Sequence, residues 1–133
     1  MGGSFMNNEA NTKDWLAKAQ DDFDFASINL KDKDKFYAQI CFHFQQSAEK
    51  YLKAFIVEKN LEFRKIHDLR LLLKICAAAN SLLNTLMEDC DFLSPFYIDT
   101  RYPVHWPATI TREEAEKAKA AVEEIKNAIL KAL

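Results

Sequence analysis

The stretch "KFYAQICFHFQQSAEKYLKAFIVEK", residues 35–59, decides the fold. It holds neither glycine nor proline. Phe36, Ile40, Phe44, Ala48, Tyr51 and Phe55 recur within it at three- and four-residue steps, the period of one helix face. The spacing predicts a long helix from about Lys35 to Lys59. Each helical residue advances by about 100°, so Gln39, His43, Gln46 and Lys50 fall on a narrow polar line beside that stripe. An apolar seam of this length needs partner helices.

The flanking sequence supplies them. Upstream, Asn11 or Thr12 is a natural N-cap for a helix running to about Lys31. Trp15, Ala19, Phe23, Ala26 and Leu30 form its stripe, and Asp21, Asp22 and Asp24 read as a solvated acidic face. Downstream, Asp68 can cap a third helix with Leu69, Leu72, Leu73 and Cys76 turned inward. A fourth helix follows Ser81 with Leu82, Leu86, Cys90 and Leu93, and falters at Pro95. Thr111 with Glu114 three residues later is a capping-box pattern. It opens a last helix whose Ala115, Ala118, Val122, Ile125, Ile129 and Ala132 step as a packing seam. No segment alternates like a strand. The expectation is all-α: an up-and-down bundle of four to five antiparallel helices forming one domain over residues 11–133. Residues 1–10, beginning "MGGSF", read as a flexible leader and a tag remnant.

Composition removes several function classes. The 133-residue chain carries 18 Lys and Arg against 20 Asp and Glu, a net charge of −2. There is therefore no global basic field for nucleic acid, although a local basic site is not excluded. Cys41, Cys76 and Cys90 are odd in number and widely separated, which suits buried thiols of a reducing compartment better than disulfides or zinc. No apolar run is long enough to span a membrane, and the N-terminus lacks a signal-peptide core. A cytoplasmic location is the default expectation. No Glu-x-x-His pair, phosphate-cradling glycine loop or metal-spaced Cys/His set is present, so neither metal nor cofactor is expected.

Three features carry potential chemistry, each with a plainer reading. His43, Gln46 and Lys50 could face a nucleotide or phosphate, since imidazole and ammonium both serve anions. They could equally be polar residues at the core edge. His67 precedes Asp68, but neighbouring residues diverge by about 100° once a helix starts, so a cap and a loop hydrogen bond explain the pair better. In "YIDTRYPVHWP", residues 97–107, Pro103 and Pro107 stiffen a segment presenting Arg101 and His105. A guanidinium to neutralise phosphorane-like charge and an imidazole to move a proton would suit RNA backbone cleavage. Alternatively Asp99 pairs with Arg101 while Tyr97, Tyr102 and Trp106 cover the bundle end.

Taken together, "CFHFQQSAEKYLKAFI" at 41–56, "HDLRLLL" at 67–73 and "YIDTRYP" at 97–103 resemble the HEPN domain, the helical domain of prokaryotes and higher eukaryotes. The resemblance covers roughly residues 13–130. It implies a helical bundle that dimerises around the arginine segment and is often paired with a minimal nucleotidyltransferase. In such toxin–antitoxin pairs the HEPN protein is a metal-independent ribonuclease. The family signature is an arginine, four to six residues, then a histidine, often followed two residues later by a tyrosine. Here three residues separate Arg101 from His105, Tyr102 follows the arginine, and Pro107 takes the tyrosine's place.

Two readings stay open. In the first, Arg101 and His105 are catalytic in a ribonuclease. In the second, a non-catalytic module binds nucleotide, RNA or protein through His43, Gln46, Lys50, Tyr97, Arg101 and Tyr102, with the RYP segment structural at a homodimer interface.

Overall fold

A computed structural model describes residues 10–97 and 109–133. Among the described residues five α-helices form: α1 (Thr12–Asp32), α2 (Tyr37–Glu58), α3 (Leu69–Ala79), α4 (Met87–Leu93) and α5 (Arg112–Ala132). Short 3-10 turns at Ser81–Leu86 and Ser94–Phe96 flank α4. Among the described residues there is no strand, so the expected all-α bundle is what forms. The expected leader falls largely on residues 1–9, outside the described residues.

The helix starts follow their capping chemistry. Asn11 accepts from the Asp14 amide at 2.9 Å while Asp14 reaches back to the Asn11 amide, a full capping box. Thr111 and Glu114 repeat the device at α5. Asp68 caps α3 through the amides of Arg70 and Leu71. Acidic first turns and basic last turns in α1 and α5 complement the helix dipoles.

Helix α2 is the axis of the molecule. It packs against α1, α3, α4 and α5, and nearly every side chain from Ile40 to Ile56 is buried or half-buried. Ile40, Phe44, Ala48, Tyr51 and Phe55 lie in the core as their spacing predicts. Phe36 does not. It stands before α2 in the left-handed region, φ 68°, with its ring 48% exposed under the Lys35 ammonium. Reversing the chain over residues 33–36 turns it out of the stripe. A bulky side chain at positive φ is a strained choice.

Contacts between α1 and α2 run in opposite senses. Thr12 donates to Glu58, Tyr51 donates to Gln20, and the Ser47 hydroxyl donates to the Ala19 carbonyl at 2.7 Å. Ala19, Ala26 and Ala48 sit fully buried, small enough to let the two backbones approach. At the other end Arg112 donates from α5 to the Leu30 and Lys33 carbonyls, each at 2.8 Å. That satisfies carbonyls which the end of α1 leaves free.

Two details redirect the chain. Asn60, at φ 54°, closes α2 with Leu61 donating to the Ile56 carbonyl and Asn60 to that of Val57, a Schellman arrangement with asparagine in place of glycine. The following segment then doubles back along α2: Phe63 packs on Trp15 near Lys53, and His67 arrives beside Glu49. Around Ser81 the expected α-helix begins as a 3-10 turn. Its three-residue repeat selects Leu83 and Leu86 for the core and leaves Leu82 77% exposed, so Leu82 is not a core residue. Leu69, Leu72, Leu73 and Cys76 of α3, and Ala115, Ala118, Val122, Ile125 and Ile129 of α5, are buried as expected, with Ala132 half-buried at the helix end.

Candidate functional site

The polar line of α2 divides into two interhelical networks. In the first, His43 Nδ1 lies 3.4 Å from Asp22 and the Lys50 ammonium donates to the same carboxylate. Asp22 is thus not part of a solvated face. Its side chain is only 17% exposed, clamped between two cationic or polar partners across the α1–α2 seam. Burial raises its carboxyl, but the hydrogen bonds and charges of His43 and Lys50 outweigh that and hold it below the ordinary carboxylate value.

The second network centres on Glu49. Its carboxylate is 3% exposed and receives Lys53 at 2.8 Å, Gln46 at 3.3 Å and His67 Nδ1 at 3.0 Å. Gln46 also donates to Gln45, which in turn donates to the His67 carbonyl at 3.2 Å. Lys53 lies over the rings of Trp15 and Phe63. Each charge in the two networks has an opposite partner, so the assembly is close to neutral and its imidazoles are the groups left to face outward.

An aromatic row joins the networks on the surface. Phe25 lies 4.6 Å from His43, His43 lies 5.4 Å from Phe42, Phe42 approaches Tyr97, and Tyr97 stacks on His67 at 4.5 Å and 12°. Next to Tyr97 a cleft of about 410 Å³ is lined by His67, Asp68, Arg70, Ser94 and Tyr97. Arg70 reaches it while its Nε pairs with Asp91 at 3.1 Å on the surface.

Of the residues singled out in the sequence, His43 and Lys50 meet at Asp22, Gln46 joins Glu49, and Tyr97 covers His67. Arg101, Tyr102, His105 and Trp106 lie outside the described residues. The sequence reading missed Asp22, Glu49 and the aromatic partners Phe25 and Phe42. Asp22 had a signal: it lies three residues after Ala19 and four before Ala26, at the edge of the α1 stripe. Glu49 showed only an i,i+4 pairing with Lys53, which says nothing of burial. From the adjacent position Asp68 cannot serve His67, so the sequence alone offers His67 no acceptor. Asp68 indeed caps α3, and the carboxylate that serves His67 comes from α2.

Other titratable groups are quieter. Cys41, Cys76 and Cys90 are buried free thiols, each pushed up to about 12, chiefly by burial. Among the described residues no group of His, Cys, Asp and Glu is placed to hold a metal. Among the described residues no helix is long and apolar enough to cross a membrane.

Comparison with known proteins agrees with this architecture. The chain is similar to the crystal structure of TT1696 from Thermus thermophilus, with 31% identity and a TM-score of 0.80, covering 92% of this chain and 98% of that one. The structure of ST0689, an archaeal HEPN homologue, shares the fold at 23% identity and a TM-score of 0.74, over 92% and 98% of the two chains. No curated protein matches in sequence. The family model of the HEPN domain matches residues 12–133, and the chain belongs to the HEPN domain family.

Proposed function

We propose that this HEPN protein acts as an RNA- or nucleotide-directed component of a two-gene toxin–antitoxin system whose second member is a minimal nucleotidyltransferase. The observation that carries the reading is the convergence at Tyr97. His43, Gln46 and Lys50 of α2, His67 before α3, and the row Phe25–His43–Phe42–Tyr97 share one side of the bundle. Residues 98–107, with Arg101, Tyr102 and His105, follow directly from Tyr97. Aromatic rings beside imidazole and guanidinium groups suit single-stranded RNA, where bases stack and phosphates are held by cations. In this reading Arg101 and Tyr102 extend the surface, and the protein works as a homodimer in the cytoplasm.

The Arg101–His105 spacing favours a second form of the same reading, in which the module binds without the arginine–histidine pair cutting. Fluorescence anisotropy with a single-stranded RNA and with ATP tests binding, and cleavage in EDTA tests catalysis, for wild type, Arg101→Ala and His105→Ala. We expect RNA binding in the micromolar range, weakened at least tenfold by Arg101→Ala. Binding that is unaffected by Arg101→Ala, or absent in wild type, refutes an RNA-directed site around this segment. Co-purification with the product of an adjacent nucleotidyltransferase gene tests the partner, and its absence refutes the pairing.

A further inference from the structure

We propose that His67 is a proton-transfer residue: Glu49 holds its Nδ1–H, and its Nε2 serves the cleft beside Tyr97 as general base toward a ribose 2′-hydroxyl. This rests on the RNA-directed reading above and assigns it a catalytic group that the arginine–histidine signature does not contain.

The tautomer follows from the partners. His67 Nδ1 lies 3.0 Å and 3.1 Å from the two Glu49 oxygens. That carboxylate already receives Lys53 and Gln46, so it acts as an acceptor. Nδ1 must therefore carry the hydrogen, and in the neutral ring the lone pair sits on Nε2. A carboxylate that fixes an imidazole through one nitrogen and frees the other for a proton is the arrangement general-base catalysis uses.

Orientation is fixed several times over. Gln45 holds the His67 carbonyl, Asp68 anchors the next residue as the α3 cap, and the Tyr97 ring lies nearly parallel on the imidazole. Despite these restraints the His67 side chain is 49% exposed, and it borders the cleft with Ser94 and Arg70. The Arg70–Asp91 pair is open to solvent, and such pairs are worth little, so a phosphate can compete for the guanidinium. A histidine present only to satisfy Glu49 would need neither the cleft nor a half-exposed ring.

The reaction balances without an added reagent. The 2′-hydroxyl gives its proton to His67 Nε2, and its oxygen forms a bond to phosphorus as the P–O5′ bond breaks. The departing 5′-oxygen takes a proton from water, His67 returns its proton to solvent, and the products are a 2′,3′-cyclic phosphate and a 5′-hydroxyl.

The test uses a single-stranded RNA oligonucleotide and its 2′-deoxy counterpart, in EDTA, with wild type, His67→Gln and His67→Gly. Glutamine retains a donor for Glu49 but supplies no base, and circular dichroism checks the fold of each variant. We expect wild type to cut only the RNA. His67→Gln should lower kcat by about 10²-fold or more, a far larger change than any in RNA affinity, and should abolish the acidic limb of the pH–rate profile. Added imidazole should restore cleavage to His67→Gly. Folded His67→Gln cutting like wild type overturns the proposal, as does wild type that binds RNA and never cuts it. In both cases the RNA-directed reading survives, whereas loss of binding in wild type sinks the two together.

Discussion

Glu49→Gln breaks an ion pair that is buried on both sides. The Glu49 and Lys53 side chains are 3% and 6% exposed, and their charges meet at 2.8 Å. Removing one member of a buried pair leaves the other uncompensated, at a cost of about 3–5 kcal/mol. Lys53 keeps the faces of Trp15 and Phe63 at 5.6 Å and 5.9 Å, a cation–π contribution of about 0.5–1 kcal/mol each at this distance. Those rings pull the expected loss to the lower end, about 3 kcal/mol. With a urea slope of about 2 kcal/mol/M, the unfolding midpoint should fall by roughly 1.5 M.

The control is Glu49→Leu with Lys53→Met. Replacing both charges by apolar groups of similar volume removes the desolvation cost together with the attraction, so the double variant should lie within about 1 kcal/mol of wild type. His67 would lose its acceptor but reaches water, which keeps that cost small. Urea titrations followed by circular dichroism decide the matter. A loss below about 1 kcal/mol in Glu49→Gln, or a double variant as unstable as the single one, would refute the claim that charge compensation inside α2 governs its stability.

Three further outcomes follow from local chemistry. Asp89 is pushed up to about 7, by burial first and then by the Glu124 and Glu88 carboxyls, so the folded state binds more protons than the unfolded chain between about pH 4 and 7. Stability should therefore fall across that window as pH rises, and Asp89→Asn should flatten the fall, which urea midpoints at about pH 5 and pH 8 will show. The three free cysteines should give no reaction with a chromogenic disulfide reagent in the native protein within minutes, and three equivalents in denaturant. Leu83→Ala should cost about 2–5 kcal/mol, while the neighbouring Leu82→Ala should stay within about 0.5 kcal/mol.

The contrast between Leu82 and Leu83 marks how far the sequence could be read. Helix ends signalled by Asn11, Asp68, Thr111 and Glu114 were legible because capping is local chemistry. Core faces of α1, α2, α3 and α5 were legible because a regular helix converts spacing directly into direction. Leu82 and Phe36 were misread where the backbone leaves that period, in a 3-10 turn and at a left-handed residue. The site was less legible for a related reason. Glu49 and His67 are 18 positions apart, and only the return of residues 59–68 along α2 brings them together. The same holds for Asp22, whose meaning depends on what the opposite helix places over it.

That dependence decides how the polar line should be tested. Lys50→Ala alone is ambiguous, because it deletes a cation and also uncovers the Asp22 charge, and either change would repel RNA. Asp22→Asn with Lys50→Met removes one charge of each sign and leaves the local sum unaltered. If Lys50 only neutralises Asp22, the double variant binds RNA as wild type does, while Lys50→Ala binds less well. If Lys50 also touches phosphate, both variants lose affinity, and the salt dependence of binding becomes shallower by about one unit. The pH behaviour supplies an independent check. The Asp22 carboxyl is held below its ordinary value, so its pairing stabilises the fold above about pH 4 and that stabilisation is lost as acid protonates it. Asp22→Asn should thus cost about 1 kcal/mol near neutral pH, allowing for solvent screening, and progressively less as acid protonates the wild-type carboxylate. An Asp22→Asn penalty that persists unchanged in acid would mean that shape, and not the charge on this carboxylate, is what His43 and Lys50 recognise.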